Sequence, residues 1–317
     1  MQKFRRIEQI TVEWLSELLG KLVTEFHCEH EVSNWAQHAR ILVTFEDQSH
    51  VRLWMKECLH PDIGSSEVDY YLKDYASLEN APLLRCYDAC YEEGIGYHLV
   101  LVDASEEFHD RKLVAPTLNH GLAIAEAVAL LHRHYWESRE PRSDSEWEAL
   151  FTVLRPGLPI MERLTERSLT SRFNSNAQEL VERRTNPEGQ TLLHGDLNPT
   201  NILTPKDADS PVYFLDRQPL DGKPVYGLAV YDLAYAIAPW WPRDFRLNHE
   251  IQILRCWYEA LNKPTYAWEQ AQLDWDISVN QCLHVPLGYC ISEESAAEME
   301  WLWRWQLSNI LGEGVSS

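Results

Sequence analysis

Apolar residues recur at Ile10, Val12, Leu15, Leu18 and Leu19, the three-and-four spacing that lines one face of a helix. Gly20 follows, a residue free to adopt the left-handed conformation in which helices commonly stop. The rhythm then changes to alternation, and "ARILVTFE" and "HVRLWMKE" read as two strands joined by the short turn "DQS". "SSEVDYYLKDYASL" predicts a helix capped by Ser65 or Ser66, and "LLRCYDACYEEGIGYHLVLVDAS" predicts two further strands around "EEGIG". The first hundred residues are therefore expected to form a small, mostly antiparallel sheet with one embedded helix.

From residue 119 the pattern is mainly helical, starting with the amphipathic run "NHGLAIAEAVALLHRHYW". The exceptions are "LLHGDLNPTNIL" and "SPVYFLDRQPLDG", the second read as a short strand pair. There is no internal repeat and no low-complexity segment. An α+β chain follows, with a sheet-rich lobe over residues 1–103 and a helical lobe over 104–317.

Composition narrows the possibilities. The 317 residues are 45% hydrophobic and 24% charged, as in an ordinary water-soluble domain. A net charge of −21 argues against a nucleic-acid-binding surface, which needs clustered Lys and Arg. It suits a cationic small substrate, although solubility alone accounts for much of it. Seven cysteines, an odd number with no CxxC pair, are expected as reduced thiols in the cytoplasm. No apolar segment follows the basic start to make a secretion signal, and no run reaches the roughly 18 residues of a membrane span. No feature of the sequence specifies an oligomeric state.

"LLHGDLNPTNIL" carries the candidate chemistry. Asp196 and Asn201 stand five positions apart, the spacing of the Asp and Asn in the kinase catalytic loop. A carboxylate there can take the proton of an acceptor hydroxyl. A neutral oxygen one loop turn later can hold magnesium against nucleotide phosphates. A second metal-binding carboxylate should follow on a strand, and Asp216 supplies it at the end of "VYFLD". The plainer alternative for "HGDLNPTN" is a tight turn closed by Asx hydrogen bonds.

"HGDLNPTNIL", "YFLDRQ" and "YDLAYAI" together resemble the aminoglycoside phosphotransferase and choline kinase superfamily. "FLDRQPLDG" followed by "VYDLAYAI" is most similar to its ecdysteroid-kinase-like branch. The resemblance implies a bilobal, protein-kinase-like fold that uses ATP and Mg2+ to phosphorylate a hydroxyl of a small molecule. It implies Asp196 as catalytic base, Asn201 and Asp216 as magnesium ligands, His194 as a residue shaping the loop and Asp232 as the loop's buttress. Asp232 also reads as a simple helix N-cap. Arg217 departs from the branch, which usually carries Trp there, so an aromatic wall is lost.

The nucleotide lobe should supply a lysine for the phosphates. Lys56 fits, since it alone among the early lysines sits in a strand, within "RLWMKE". A solvated strand lysine is the alternative. Its ion-pair partner is expected to be Glu67, with Asp69 as the rival. "YHLVLVDASEE" is similar to the family's hinge, in which backbone groups of Leu101, Val102 and Asp103 would meet adenine. A buried core strand explains the same letters. The loop over the phosphates should contain glycine, yet none occurs between Gly20 and Gly64, so Ser33 and Asn34 would have to make its turn.

Acceptor-site walls are sought at Trp240, Trp241, Trp257 and Trp275. Trp301 and Trp305 form a helical stripe more typical of a core. The acidic run "DASEEFHD" would favour an amine if it rims the cleft, and an aromatic lining would suit a choline-like cation or an apolar alcohol. Two rivals remain: a catalytically silent binding protein on the same fold, and a protein kinase, which the missing A-P-E segment after Asp216 argues against.

Overall fold

The structure, a computed structural model, describes residues 3–33, 36–60, 64–109, 114–138, 144–183, 186–207, 210–217 and 225–312. The chain divides into two compact units. One comprises Met1–Lys112 with Leu203–Pro224, the other Leu113–Ile202 with Val225–Ser317. The single boundary expected after residue 103 therefore lies later, and 203–224 return to the first unit. Main-chain hydrogen bonds explain the return: Lys206 N donates to Glu107 O (2.9 Å), His109 N to Thr204 O (2.9 Å) and Phe214 N to Pro82 O (2.8 Å).

The first unit is built on a five-stranded antiparallel sheet: β1 (Val23–Val32), β2 (Gln37–Phe45), β3 (His50–Cys58), β4 (Cys86–Glu92) and β5 (Gly96–Val102). Their spatial order is β1-β2-β3-β5-β4. The register sets Val43 opposite Val51, Ile41 opposite Leu53 and Ala39 opposite Met55, so period-two alternation gathers these side chains on one face. Helix α1 (Val12–Leu19) covers that face, and Trp14 and Leu15 join the same buried cluster. Thr11 caps α1 by accepting from Trp14 N (3.2 Å), and Gly20 ends it at φ 64°. The four strands read from the sequence are all present. The fifth, β1, was not anticipated. It is an edge strand whose residues are mostly exposed, with Val32 at 76%, so it carries little apolar alternation.

The expected helix after β3 is short: α2 (Ser66–Asp69) runs directly into a wider π turn at Tyr70–Asp74. The wide turn brings Tyr70 and Tyr75, five residues apart, edge to face at 5.4 Å and 88°. Ser65 stands at the cap position, but its hydroxyl donates to the Asp69 carboxylate (2.7 Å) instead of accepting a backbone N–H.

The second unit is mostly helical. Its first helix, α3 (Leu118–His134), is capped by Thr117 and packs on helix Arg243–Leu261. Gly121 permits their close approach, since a Cβ there would lie 2.6 Å from Ile253 Cδ1. Gln190–Leu193 pairs antiparallel with Val225–Leu228 and delivers the chain into the loop at His194. Of the strand pair expected in "SPVYFLDRQPLDG", Tyr213–Phe214 is a strand, while 218–224 fall outside the described residues. The α+β expectation holds: an antiparallel sheet unit precedes a helical one. Trp241, Trp257 and Trp275, sought as acceptor-site walls, are core residues at 4%, 0% and 2% exposure. Among the described residues no helix is long and apolar enough to cross a membrane.

Candidate active site

In the first unit, β3 brings Lys56 opposite Leu99 of β5 and His38 of β2. Its Nζ lies 2.8 Å from Glu67 Oε2 and 2.9 Å from Asp216 Oδ1. Glu67 is thus the partner. The rival Asp69 pairs with Lys73 and accepts from Ser65. The Tyr97 phenol of β5 also donates to Glu67 Oε2. Burial alone would lower the Lys56 pKa, but Glu67 and Asp216 together hold it well above the ordinary lysine range. Burial raises the Glu67 carboxyl against the pull of Lys56. Lys56 faces two carboxylates, which fixes its positive form.

Asp216 sits at φ 56°, a left-handed conformation that Asp tolerates better than most residues. Its side chain is 26% exposed, so the carboxylate reaches solvent while holding Lys56. Arg217 is 1% exposed, and in place of an aromatic wall it puts a guanidinium among Ser66, Tyr70 and Asp74.

A cleft of about 580 Å³ opens within this unit, lined by Trp54, Leu84, Leu101, Val102, Asp103 and Leu215 among others. Trp54 shares the Lys56 face of β3 by alternation and stacks on His38 at 4.8 Å. All three hinge residues read from the sequence line this cleft. Their amides are less available than expected: Val102 N donates to Arg85 O (2.9 Å) and Asp103 N to Arg52 O (3.0 Å). Ser33 also lines the cleft, and it closes the turn after β1. Its N–H donates to Ala36 O (2.9 Å), and its hydroxyl accepts from Ala36 N (3.2 Å). Asn34 lies outside the described residues.

In the second unit, Asp232 is 1% exposed and organises the loop. Its carboxylate accepts from the backbone N–H of His194 (2.7 Å) and Gly195 (3.0 Å) and meets His132 Nε2 at 3.1 Å. The Trp257 indole donates to His132 Nδ1 (3.2 Å), which leaves Nε2 as the nitrogen that donates to Asp232. Gly195, at φ 81°, makes the bend.

Asp196 Oδ1 accepts from Tyr235 Oη and Asn198 Nδ2, each at 3.1 Å, and Oδ2 accepts from Asn201 Nδ2 at 3.1 Å. Burial, then the charge of Asp196, keeps the Tyr235 phenol protonated far above its usual range. The Asx turn of the plainer reading is present too, but Asn198 makes it, accepting from Thr200 N at 2.8 Å. His194 shapes the loop at short range, its Nδ1 lying 3.4 Å from Asp196 N.

Asn201, expected from the resemblance to be a magnesium ligand, keeps one amide oxygen available. Its amide nitrogen faces two acceptors, Asp196 O (2.9 Å) and Asp196 Oδ2, which fixes the amide orientation and leaves Oδ1 as an oxygen donor. An amide oxygen suits a hard cation that keeps waters and phosphate oxygens. Among the described residues no group of three His, Cys, Asp or Glu could hold a metal by itself.

Tyr97, His132 and Tyr235 escaped the sequence reading. Tyr97 and His132 sit in apolar runs where a buried polar group is the only signal, since it must find a partner. Tyr235 lies one helical turn beyond Asp232 within "YDLAYAI", which offered a better clue.

Residues 146–267 match the ecdysteroid kinase-like family. The resemblance to the ecdysteroid-kinase-like branch is borne out over that stretch. A putative fructosamine-3-kinase from Thermobifida fusca YX-ER1 is similar in fold, with a TM-score of 0.55 and 15% identity over 95% of this chain and 98% of that one. A macrolide 2'-phosphotransferase from Brachybacterium faecium, at TM-score 0.53 and 16% identity, covers the same shares. A microcompartment-associated aminopropanol kinase scores 0.53 at 14% identity over 95% of each chain. At such identities the likeness establishes a fold shared with small-molecule kinases. No curated protein matches the chain in sequence.

Proposed function

We propose that the protein is an ATP- and magnesium-dependent phosphotransferase that moves the γ-phosphate to a hydroxyl of a small molecule, acting in the cytoplasm. The observation that carries this reading is Lys56 held between Glu67 and Asp216, a cation fixed in its charged form beside a carboxylate that still reaches solvent. The first unit takes the nucleotide, with Lys56 on its phosphates and the base in the cleft beside Leu101, Val102 and Asp103. Magnesium, when bound, neutralises phosphate charge, and Asn201 and Asp216 supply its protein oxygens.

Asp196 accepts the acceptor hydroxyl proton as the new oxygen–phosphorus bond forms and the bond to the ADP oxygen breaks. Tyr235, Asn198 and Asn201 fix the direction of that carboxylate beforehand, so little reorganisation is needed at transfer. Asp232 holds the loop through two amides. Candidate acceptors are aminoglycosides, choline-like amines, sterols and sugar alcohols.

The test is ATP consumption against these four classes, with wild type and Asp196→Ala in parallel. Turnover that vanishes in the variant supports the reading. A second reading, a catalytically silent binding protein, draws on the committed amides of Ser33, Val102 and Asp103. Thermal shift separates the two, since ATP with magnesium at 100 times its Kd adds about 2.7 kcal/mol. No shift at millimolar nucleotide together with no turnover rejects the kinase reading.

A further inference from the structure

Arg217 is a buried cation that the transfer chemistry above does not use. It follows Asp216 directly, and its guanidinium is spread over three partners. Nε donates to Ser66 Oγ (3.2 Å), Nη2 to the Ser66 carbonyl and Nη1 to the Asp74 carboxylate. Its Cζ lies 5.1 Å from the centre of the Tyr70 ring, within cation–π range. Ser66 and Tyr70 are themselves buried, at 1% and 0% exposure. One side chain therefore grips both ends of the segment formed by α2 and its π turn.

That segment carries Glu67, next in sequence to Ser66. The stretch after the strand Tyr213–Phe214 carries both Asp216 and Arg217. The same two stretches of chain are thus joined twice. Lys56 bridges Glu67 to Asp216, and Arg217 ties Ser66 and Asp74 to the residue after Asp216.

The second join matters because the first is conditional. Glu67 and Asp216 are both carboxylates, held 2.8 and 2.9 Å from the same amine. Lys56 bridges them, and it is also the group that must turn toward phosphates. A clamp that draws on neither carboxylate keeps them at a fixed spacing while Lys56 is shared with a ligand. A planar guanidinium with five donors suits this task, because it can serve a hydroxyl, a carbonyl and a carboxylate at once.

We propose that Arg217 is a positioning residue for the nucleotide site, holding α2 so that Glu67 reaches Lys56. The role rests on the kinase reading for its consequence in catalysis, but the clamp itself does not need a ligand. Lys56 would hold phosphate equally before and during transfer, so loosening it weakens uniform binding.

The decisive variants are Arg217→Met, Arg217→Lys and Ser66→Ala, each also combined with Glu67→Gln. Arg217→Met should raise the KM for ATP by about tenfold, the size expected for hydrogen bonds to a charged group, and leave kcat nearly unchanged. Arg217→Lys, which keeps only the bond to Asp74, should fall between. Combined with Glu67→Gln, Arg217→Met should add little, because both act through the same contact to Lys56. A general loss of packing would lower kcat or stability without that dependence on Glu67.

Hydrogen exchange of the wild type and Arg217→Met without nucleotide provides the ligand-free arm. Exchange should rise over residues 66–74 and stay constant over β4 and β5. Should Arg217→Met fail to fold, Ser66→Ala removes only the hydroxyl acceptor and should show the same effects in reduced form. An unchanged KM in a folded variant, or effects that add fully to those of Glu67→Gln, would overturn the proposal. If the wild type neither binds nor consumes ATP, the kinase reading fails, and exchange over 66–74 alone decides the clamp: faster exchange sustains it and unchanged exchange rejects it.

Discussion

Tyr235 donates its phenolic hydrogen to Asp196 Oδ1 across 3.1 Å, from a helix whose Asp232 holds the same loop by its backbone. The two contacts divide the work. Asp232 fixes where the loop lies, and Tyr235 fixes how one carboxylate points. Tyr235→Phe removes the hydroxyl and little volume, so Asp196 keeps its place but loses the phenolic donor on Oδ1. The expected result is a kcat several-fold lower with the KM for ATP unchanged. Asp196→Ala should cost at least ~10²-fold, the lower end for removing a general base. Steady-state kinetics of the two variants checks both, and a Tyr235→Phe enzyme as slow as Asp196→Ala would show that the phenol does more than orient.

Asp232 makes a stability prediction of a different size. Its carboxylate is almost fully buried and serves His132, His194 and Gly195 together. Asp232→Ala leaves two backbone N–H groups and one histidine without their acceptor. Removing one member of such a buried set costs about 3–5 kcal/mol. Urea denaturation should show it as a lower midpoint with the slope unchanged. Asp232→Asn should cost less, because an amide oxygen can still accept one of the three bonds.

The pairing of Lys56 predicts where nucleotide binding fails. With both carboxylates present the amine is fixed as a cation, its pKa above the ordinary value near 10.4. Its contribution to stability is thus complete below about pH 10.4 and is lost only as pH rises through the still higher folded value. Glu67→Gln removes one carboxylate and lowers the amine toward its ordinary range. The KM for ATP should then rise by about tenfold at pH 7.5, one charge-assisted bond being worth that much. A KM that does not move places the nucleotide elsewhere.

These sites differ in how visible they were beforehand. Asp196, Asn201 and Asp216 stood in compact motifs whose short spacing is readable along the chain. Lys56 was legible as the lysine of a strand, and Glu67 as an acid at the start of the next helix, with Asp69 excluded only by geometry. Partners drawn from distant sequence were not legible. His132 meets Asp232 from 100 residues away, and Tyr97 meets Glu67 from 30. Edge strand β1 escaped because exposure on both faces erases alternation, and the π turn escaped because tyrosines at 70, 71 and 75 fit a helical pattern equally well. Arg217 looked like the loss of an aromatic wall. The structure gives it a positive set of contacts that no local pattern encodes.

His284 yields the clearest pH dependence. It lies within the second unit, its ring 5.7 Å from that of Phe151 and 5.5 Å from that of Phe173, and its buried Nε2 has no hydrogen-bond partner among the described residues. Burial brings its pKa from 6.5 down to about 4. Between those values the unfolded chain binds a proton that the folded chain refuses, so folding stability rises with pH across that window. The contribution is complete above about 6.5 and is lost as pH falls toward about 4, at no more than about 1.4 kcal/mol per pH unit. Surface carboxylates titrate in the same range, so the comparison must be with His284→Phe, which keeps an aromatic ring in the site and carries no proton. Urea midpoints at pH 7 and pH 4.5 should fall further in the wild type than in the variant. Equal falls would mean that the imidazole reaches water or a partner in solution.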